Sequence, residues 1–360
     1  MPTRQSGMSL AELMVGIAVG LLVVVAASGS LSFFEGQRNT SLSGNAAMNS
    51  GVMGGYLLQR DLRNAGVGLM NATQLACNTL NVYYAGATKA DGLAVAPVLI
   101  SDGGAGPDSI SIFFAASVLG SAPVELTRGL TAAGDTLRVN STSGLQQGDV
   151  VLIAGSSGTD PCSVAQLSAV TPVGTQVDLA RATGASYPFN PANPAAAFTT
   201  APLYPAGGAV LRTGSGITWR SYSVDNTNAL IATDRITGNT IKVATNVLSM
   251  QAQYGVTDGI SNEIRQWVDA TNEWDATAAP LDASHISRIR AVRFSVIVRS
   301  AKKELARDAG GVCTTTTAAP QPWPDVAPMD LSADPDWGCY RYQVYASIAP
   351  LKNVVWSVSQ

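Results

Sequence analysis

The sequence predicts an α+β protein in which a long N-terminal α-helix packs on a β-rich C-terminal head that carries a β insertion. Three observations lead there. Residues 8–34 form an apolar run with a single charge, residues 42–69 carry apolar side chains at steps of three and four, and beyond Gly68 the pattern changes to short alternating runs punctuated by Gly, Pro, Asn and Asp.

The chain of 360 residues can bury a substantial core as one large domain or two modest ones. Hydrophobic residues at 46% against 13% charged, with 35 glycines, make it too apolar for a disordered chain. A net charge of -3 without any Lys/Arg run argues against nucleic acid as a partner.

The run from Met8 to Phe34, MSLAELMVGIAVGLLVVVAASGSLSFF, has Glu12 as its only charge, and as a helix it measures about 40 Å, long enough to cross a bilayer. A secretory signal peptide cut after Ala27 fits less well, because its apolar region is shorter and does not begin with a carboxylate. A generic anchor explains the length but not Glu12, since an acid costs about 2.5–3.5 kcal/mol at mid-helix on the insertion scale. That cost calls for compensation. Gly16 and Gly20 form a G-x-x-x-G face that lets helices approach closely.

Past the membrane, Met48, Val52, Tyr56, Leu58, Leu62, Ala65 and Leu69 predict one apolar stripe, with Arg60, Asp61 and Arg63 turned away. Gly44, Gly51, Gly54 and Gly55 each lower helix propensity by up to about 1 kcal/mol, so the middle is expected to bend or partly unwind. Gly66 and Gly68 are stop signals.

Gly7 followed by Met8-Ser9-Leu10-Ala11-Glu12 resembles the class III signal of type IV prepilins: a glycine at the cleavage site, an apolar first mature residue and glutamate as the fifth. The resemblance implies that a prepilin peptidase cuts after Gly7 and methylates the new amine of Met8, and that Glu12 is an assembly residue. Met8 departs from the phenylalanine most frequent there. The string Leu57-Leu58-Gln59-Arg60-Asp61-Leu62-Arg63-Asn64-Ala65-Gly66 resembles the end of this helix in PilW-type minor pilins and J-type pseudopilins, and "SMQAQYG", "VRFSVIVRS" and "YASIAPLKN" resemble the C-terminal half of the former. The family's fold is a meander packed on the amphipathic helix. The division expected is a leader over residues 1–7, a helix over 8–66 (8–34 transmembrane, 35–66 amphipathic) and a head over 67–360, with the insertion at about 107–205.

Within the head, strand-length runs fall at residues 109–114, 136–139, 149–153, 176–179, 216–224 and 247–254. Alternation predicts a half-buried strand at 291–299, with Val292, Phe294, Val296 and Val298 inward and Arg293, Ser295 and Arg299 outward; Tyr340, Tyr342, Val344, Ala346 and Ile348 repeat the pattern in the last strand. No later segment shows a helical stripe. The cysteines, Cys77, Cys162, Cys313 and Cys339, lack C-x-x-C spacing, so disulfides are the better reading. Of three connectivities, Cys313 with Cys339 and Cys77 with Cys162 is favoured, because the first pair closes the shorter loop; free buried thiols are the alternative.

Catalytic groups are few. The one histidine, His285, reads as an ordinary turn or strand residue, and no G-x-S-x-G, H-E-x-x-H or phosphate-loop pattern occurs. Asp258-Gly259-Ile260-Ser261-Asn262-Glu263 lacks calcium-loop spacing and reads as a hairpin tip. No enzyme activity, cofactor or metal is expected. Trp323 and Trp337 lie in the disulfide loop as contact surface or core. The resemblance implies a minor pilin of a Gram-negative type IV pilus, taking part in initiation of assembly and tip-complex formation. It would be anchored in the inner membrane with a periplasmic head and later reach the pilus. Other minor pilins, the major pilin, the prepilin peptidase, the inner-membrane assembly platform and a tip adhesin are its implied partners. A J-type pseudopilin of a type II secretion system and a membrane-tethered adhesin are the alternative readings.

Overall fold

The computed structural model describes residues 10–68, 70–71, 74–75, 79–115, 123–156, 161–276, 281, 283–304 and 308–355. Gly7, Met8, Leu69 and Cys77 lie outside the described residues. Helix α1 (Leu10–Asn64) is unbroken over 55 residues. The partial unwinding expected from its glycines does not occur, and three of them, Gly51, Gly54 and Gly55, face the head. A Cβ there would meet Val298 at 3.4 Å, Leu230 at 3.0 Å and the Tyr345 ring respectively, so close tertiary contact outweighs weak propensity.

The chain then runs β1 (Met70–Asn71), β2 (Gln74–Leu75), β3 (Thr79–Tyr84), β4 (Ala87–Ala94), β5 (Val98–Ser101), β6 (Ser109–Ala115), β7 (Val124–Glu125), β8 (Leu137–Val139), β9 (Val150–Ala154), β10 (Cys162–Gln166), β11 (Ala169–Val173) and β12 (Gln176–Ala180). After a four-residue helix α2 (Pro194–Ala197) come β13 (Ala209–Gly214), β14 (Ile217–Val224), β15 (Ala229–Asp234), β16 (Thr240–Thr245), β17 (Val247–Val256) and β18 (Gln266–Val268). Helix α3 (Ala283–Arg288), β19 (Ile289–Arg299), β20 (Tyr342–Pro350) and α4 (Lys352–Val355) complete the described chain. His285 therefore sits on a short helix, not in a turn or strand. Its ring meets the edge of Trp274 at 5.1 Å.

Five sheets build the head, one of them the two-stranded antiparallel pair β1-β2. The C-terminal one has the order β18-β17-β19-β20 and a second the order β16-β15-β14-β6-β5, both antiparallel throughout. A six-stranded sheet, β4-β3-β10-β9-β13-β7, is antiparallel except where β3 runs parallel to β10. The remaining sheet has the order β11-β12-β8.

The six-stranded sheet divides two hydrophobic cores. Val150, Leu152 and Ala154 of β9 join the main core with the underside of α1, whereas Val151 and Ile153 join a second core with Leu137, Val177 and Leu179. Burial on both faces explains the uninterrupted run VVLIA. The sequence reading placed residues 109–114 inside the insertion, but β6 pairs with β5 and β14 in the five-stranded sheet. The segment that encloses the second core starts at Val124 and ends near Val210.

Two strand faces differ from expectation. β19 is buried on both sides: Val292, Phe294, Val296 and Val298 face the core, while Arg293, 7% exposed, lies beneath Trp323 and Asp325 of the 313–339 loop and Ser295 is wholly buried. In β20 the inward face is Tyr345, Ser347 and Ala349, not Val344, Ala346 and Ile348, which are exposed. Tyr345, Ser347 and Ala349 face α1 where Gly51 and Gly55 of the helix leave room for the Tyr345 ring. The Asp258 segment is the hairpin tip between β17 and β18; Asp258 accepts bonds from the amides of Ile260 and Ser261, which hold its carboxyl down at about 2.

Candidate assembly interface

The first half of α1 is built to leave the head. Leu10–Leu31 has a mean hydropathy of 2.5 and is wholly exposed, so this largely apolar stretch of 22 residues has length enough to cross a membrane. Glu12 stands in its first described turn. Gly16 and Gly20 have no atom of the head within 4 Å of a built Cβ, leaving that small-residue face open to another helix.

The second half is bolted down. Its buried stripe is Ala47, Gly51, Gly54, Leu58, Leu62 and Ala65, all turned to the sheets. Leu58, Leu62 and Ala65 lie where the periodicity put them, but Met48, Val52 and Tyr56 are 49%, 50% and 59% exposed. Counting glycine as neutral hid the true stripe, because the closest approach selects the residue with no side chain. Asp61, expected in solvent, is 1% exposed. Its carboxylate takes a bond from Arg220, one from the Tyr222 hydroxyl at 2.7 Å and one from its neighbour Arg60 at 3.0 Å. Burial, then the Asp61 charge, push the Tyr222 hydroxyl up, so it stays a donor.

Strand β20 supplies the rest of the seat. Gln59 Nε2 donates to Ser347 Oγ at 2.8 Å, and Asn353 Nδ2 donates to the carbonyl of Ala65 at 2.9 Å, capping one of the acceptors a helix end leaves open. Gly66, at φ +81°, turns the chain off the helix and donates to Phe113 O at 2.9 Å.

A strap closes the sheet's outer face. Cys313 and Cys339 are disulfide-bonded with Cα atoms 4.8 Å apart. Cys162 is disulfide-bonded too; Cys77, its favoured partner, lies outside the described residues. Within the strap, Trp323 stacks at 4.4 Å on the Arg293 guanidinium, whose other aromatic neighbour is Trp267 at 5.1 Å. Arg293 donates to Gln253 at 2.6 Å and to both oxygens of Asp325. Asp336 stands beside the two cysteines, but their sulfurs are joined to each other, which removes them as metal ligands.

Of the residues singled out from sequence, the described structure thus joins Cys313 to Cys339 and sets Glu12 in the apolar span. Asp61, Arg220, Tyr222, Gly55 and Arg293 were missed as positioning residues. One signal for Asp61 existed: it is the acid within the string that resembles the end of the family's helix.

Two family models match. Type IV Pilus-assembly protein W covers residues 220–353, from Arg220 of β14 to Asn353 after β20, and the prokaryotic N-terminal methylation motif covers residues 2–28. No curated protein and no solved structure matches the chain. The first match contains Arg220, Tyr222, Tyr345 and Ser347 of the helix seat but not Phe113 of β6, and the second contains Gly7 and Glu12. With a helix long and apolar enough to cross a membrane, a β-rich head and both matches, the chain is PilW-like over residues 220–353 and carries a prepilin-type signal, which together support a type IV pilus-related minor pilin.

Proposed function

We propose that this minor pilin primes assembly of a type IV pilus by joining other minor pilins in the complex at the filament tip, and that it acts by assembly and not by catalysis. One observation carries the reading: a single unbroken helix runs from an apolar span with one carboxylate into a half locked on the head, so the head is carried rigidly by whatever the span packs against. In this reading a prepilin peptidase cuts after Gly7 and methylates Met8. The precursor is held in the inner membrane with its head in the periplasm, where it meets the assembly platform, the major pilin and a tip adhesin.

Glu12 is the assembly residue. In a bundle of apolar helices its carboxylate neutralises the cationic amine of a neighbour, offsetting the several kcal/mol that each charge costs when desolvated alone. The J-type pseudopilin shares leader and helix, but the second core gives this head more bulk than that class usually carries.

The test is genetic and chemical together. Cells lacking the chain are expected to show few surface pili, restored by the wild type and not by Glu12→Ala, which still inserts in the membrane. Gly7→Tyr is expected to leave a slower-migrating precursor, and mass spectrometry of the wild type to find methylated Met8 at the N-terminus. Normal piliation without the chain would end the priming role; an unprocessed wild-type N-terminus would end the pilin logic altogether.

A further inference from the structure

Among the described residues, the sheet edges are managed in every case but one. β4 carries Lys89 and Asp91, β11 carries Pro172, and β16 carries Lys242, each of which discourages another strand from adding. β1, β2, β7, β8 and β18 have two or three residues. β5 is capped, the amide of Ile100 donating to the hydroxyl of Tyr254 at 2.6 Å. β20 is different. It runs nine residues, Tyr342–Pro350, without a charge and with its one proline only at the last position, it ends its sheet, and its Val344 and Ile348 are 39% and 53% exposed.

The open edge is continuous with a bare flank of the helix. Val52, Tyr56, Gln59 and Arg63 succeed one another at steps of four, three and four, so they form one stripe of α1. Gln59 in that stripe bonds to Ser347 of β20, which places the exposed Val52 and Tyr56 alongside the strand. A neighbour whose helix packs on this flank is thereby brought to the edge of β20.

From this we infer that β20 is a strand-addition site for a different pilin subunit, which lays an extended, uncharged strand along Tyr342–Pro350 while its own helix packs on Val52 and Tyr56. A second copy of this chain does not fit. Gly55 lies over Tyr345, Gln59 bonds to Ser347 and Ala65 to Asn353, so α1 and β20 run in the same direction. A two-fold dimer through β20 pairs the strand with itself antiparallel and sets the two helices in opposite directions. Both apolar spans must enter one membrane in the same sense, which forbids that arrangement. Backbone pairing gives such a site its affinity, and the alternate side chains Val344, Ala346 and Ile348 give it selectivity.

The inference rests on the chain assembling with other pilins, and its test stands apart from that of priming. A photo-crosslinking amino acid placed at Val344 or Ile348 of the full-length chain in cells is expected to yield an adduct with another protein bearing a prepilin signal. The same group at Val173 or Ile241, exposed on other sheets, is expected to yield none. Amide exchange over residues 342–350 is expected to slow at least tenfold in the purified adduct relative to the free chain. Val344→Lys with Ile348→Lys should keep the disulfide and the melting temperature yet cut recovery of that partner at least tenfold. No adduct, an adduct with a second copy or with a protein lacking the signal, or unchanged exchange would each overturn the proposal. Normal piliation without the chain would remove priming while an adduct at Val344 still stood.

Discussion

Asp61 and Asp108 are buried to a similar degree, 1% and 4% exposed, but are held by different chemistry. Asp61 has cationic partners in Arg220 and Arg60. Removing it leaves the Tyr222 hydroxyl and a half-buried guanidinium without their acceptor, so Asp61→Ala is expected to cost about 3–5 kcal/mol in urea unfolding, and Asp61→Asn less. Among the described residues Asp108 has only amides, those of Gly103 at 2.9 Å and Ala252 at 2.7 Å. Burial, its largest influence, raises its carboxyl from 3.8 to about 6. The folded state then holds this proton more tightly than the unfolded chain does. Its contribution is present in full below pH 4 and is lost as pH rises through 6, an effect of up to about 3 kcal/mol at 1.36 kcal/mol per unit. Urea unfolding at pH 4.5 and 7 should therefore show a component of pH dependence in the wild type that Asp108→Asn lacks, whatever constant cost the amide adds. Identical pH dependence in both would refute it.

At the scale of elements, the seat of α1 turns on glycines whose value propensity does not measure. Gly55→Ala offers up to about 1 kcal/mol of helix propensity but drives a methyl into the Tyr345 ring, and overpacking costs about 1–3 kcal/mol, so destabilisation wins. Gly44→Ala meets nothing within 4 Å and should gain up to about 1 kcal/mol. Thermal unfolding of the detergent-solubilised chain separates the two, and Tyr345→Ala should remove most of the Gly55→Ala penalty. A fall for both, or a gain for both, would contradict the contact argument. The same glycines show what sequence conceals. Strand positions were legible because period-two alternation is local, and β6, β9, β14, β17 and β19 lie where it put them. The inward face of β20 was not legible, since Tyr345, Ser347 and Ala349 are inside only because glycines on a distant helix leave room for them. Nor was the cover over β19, which a loop tied by a disulfide provides.

At the scale of the whole molecule, both ends were legible through fixed residue patterns, while the middle was visible only as strand-rich and low in charge. What the sequence could not convey is that one sheet serves two cores. Residues on alternate faces of β9 feel different neighbours although they are adjacent in the chain. That division has an energetic consequence. Leu179 is wholly buried in the second core and Leu62 in the first, beneath the helix. Truncating either to alanine should cost about 2–5 kcal/mol locally. The two costs should be felt in different places, because sites without shared partners act almost independently. In amide exchange of the full chain, Leu179→Ala should speed exchange in β8 and β12 and leave β17, β19 and the 47–65 half of α1 protected. Leu62→Ala should expose that half-helix and β20 and spare β12. Since assembly uses the helix and its seat, Leu179→Ala should also retain pilus incorporation at near wild-type yield where Leu62→Ala loses it. Loss of protection across both cores from either substitution would mean that the sheet between them couples the halves into one unit.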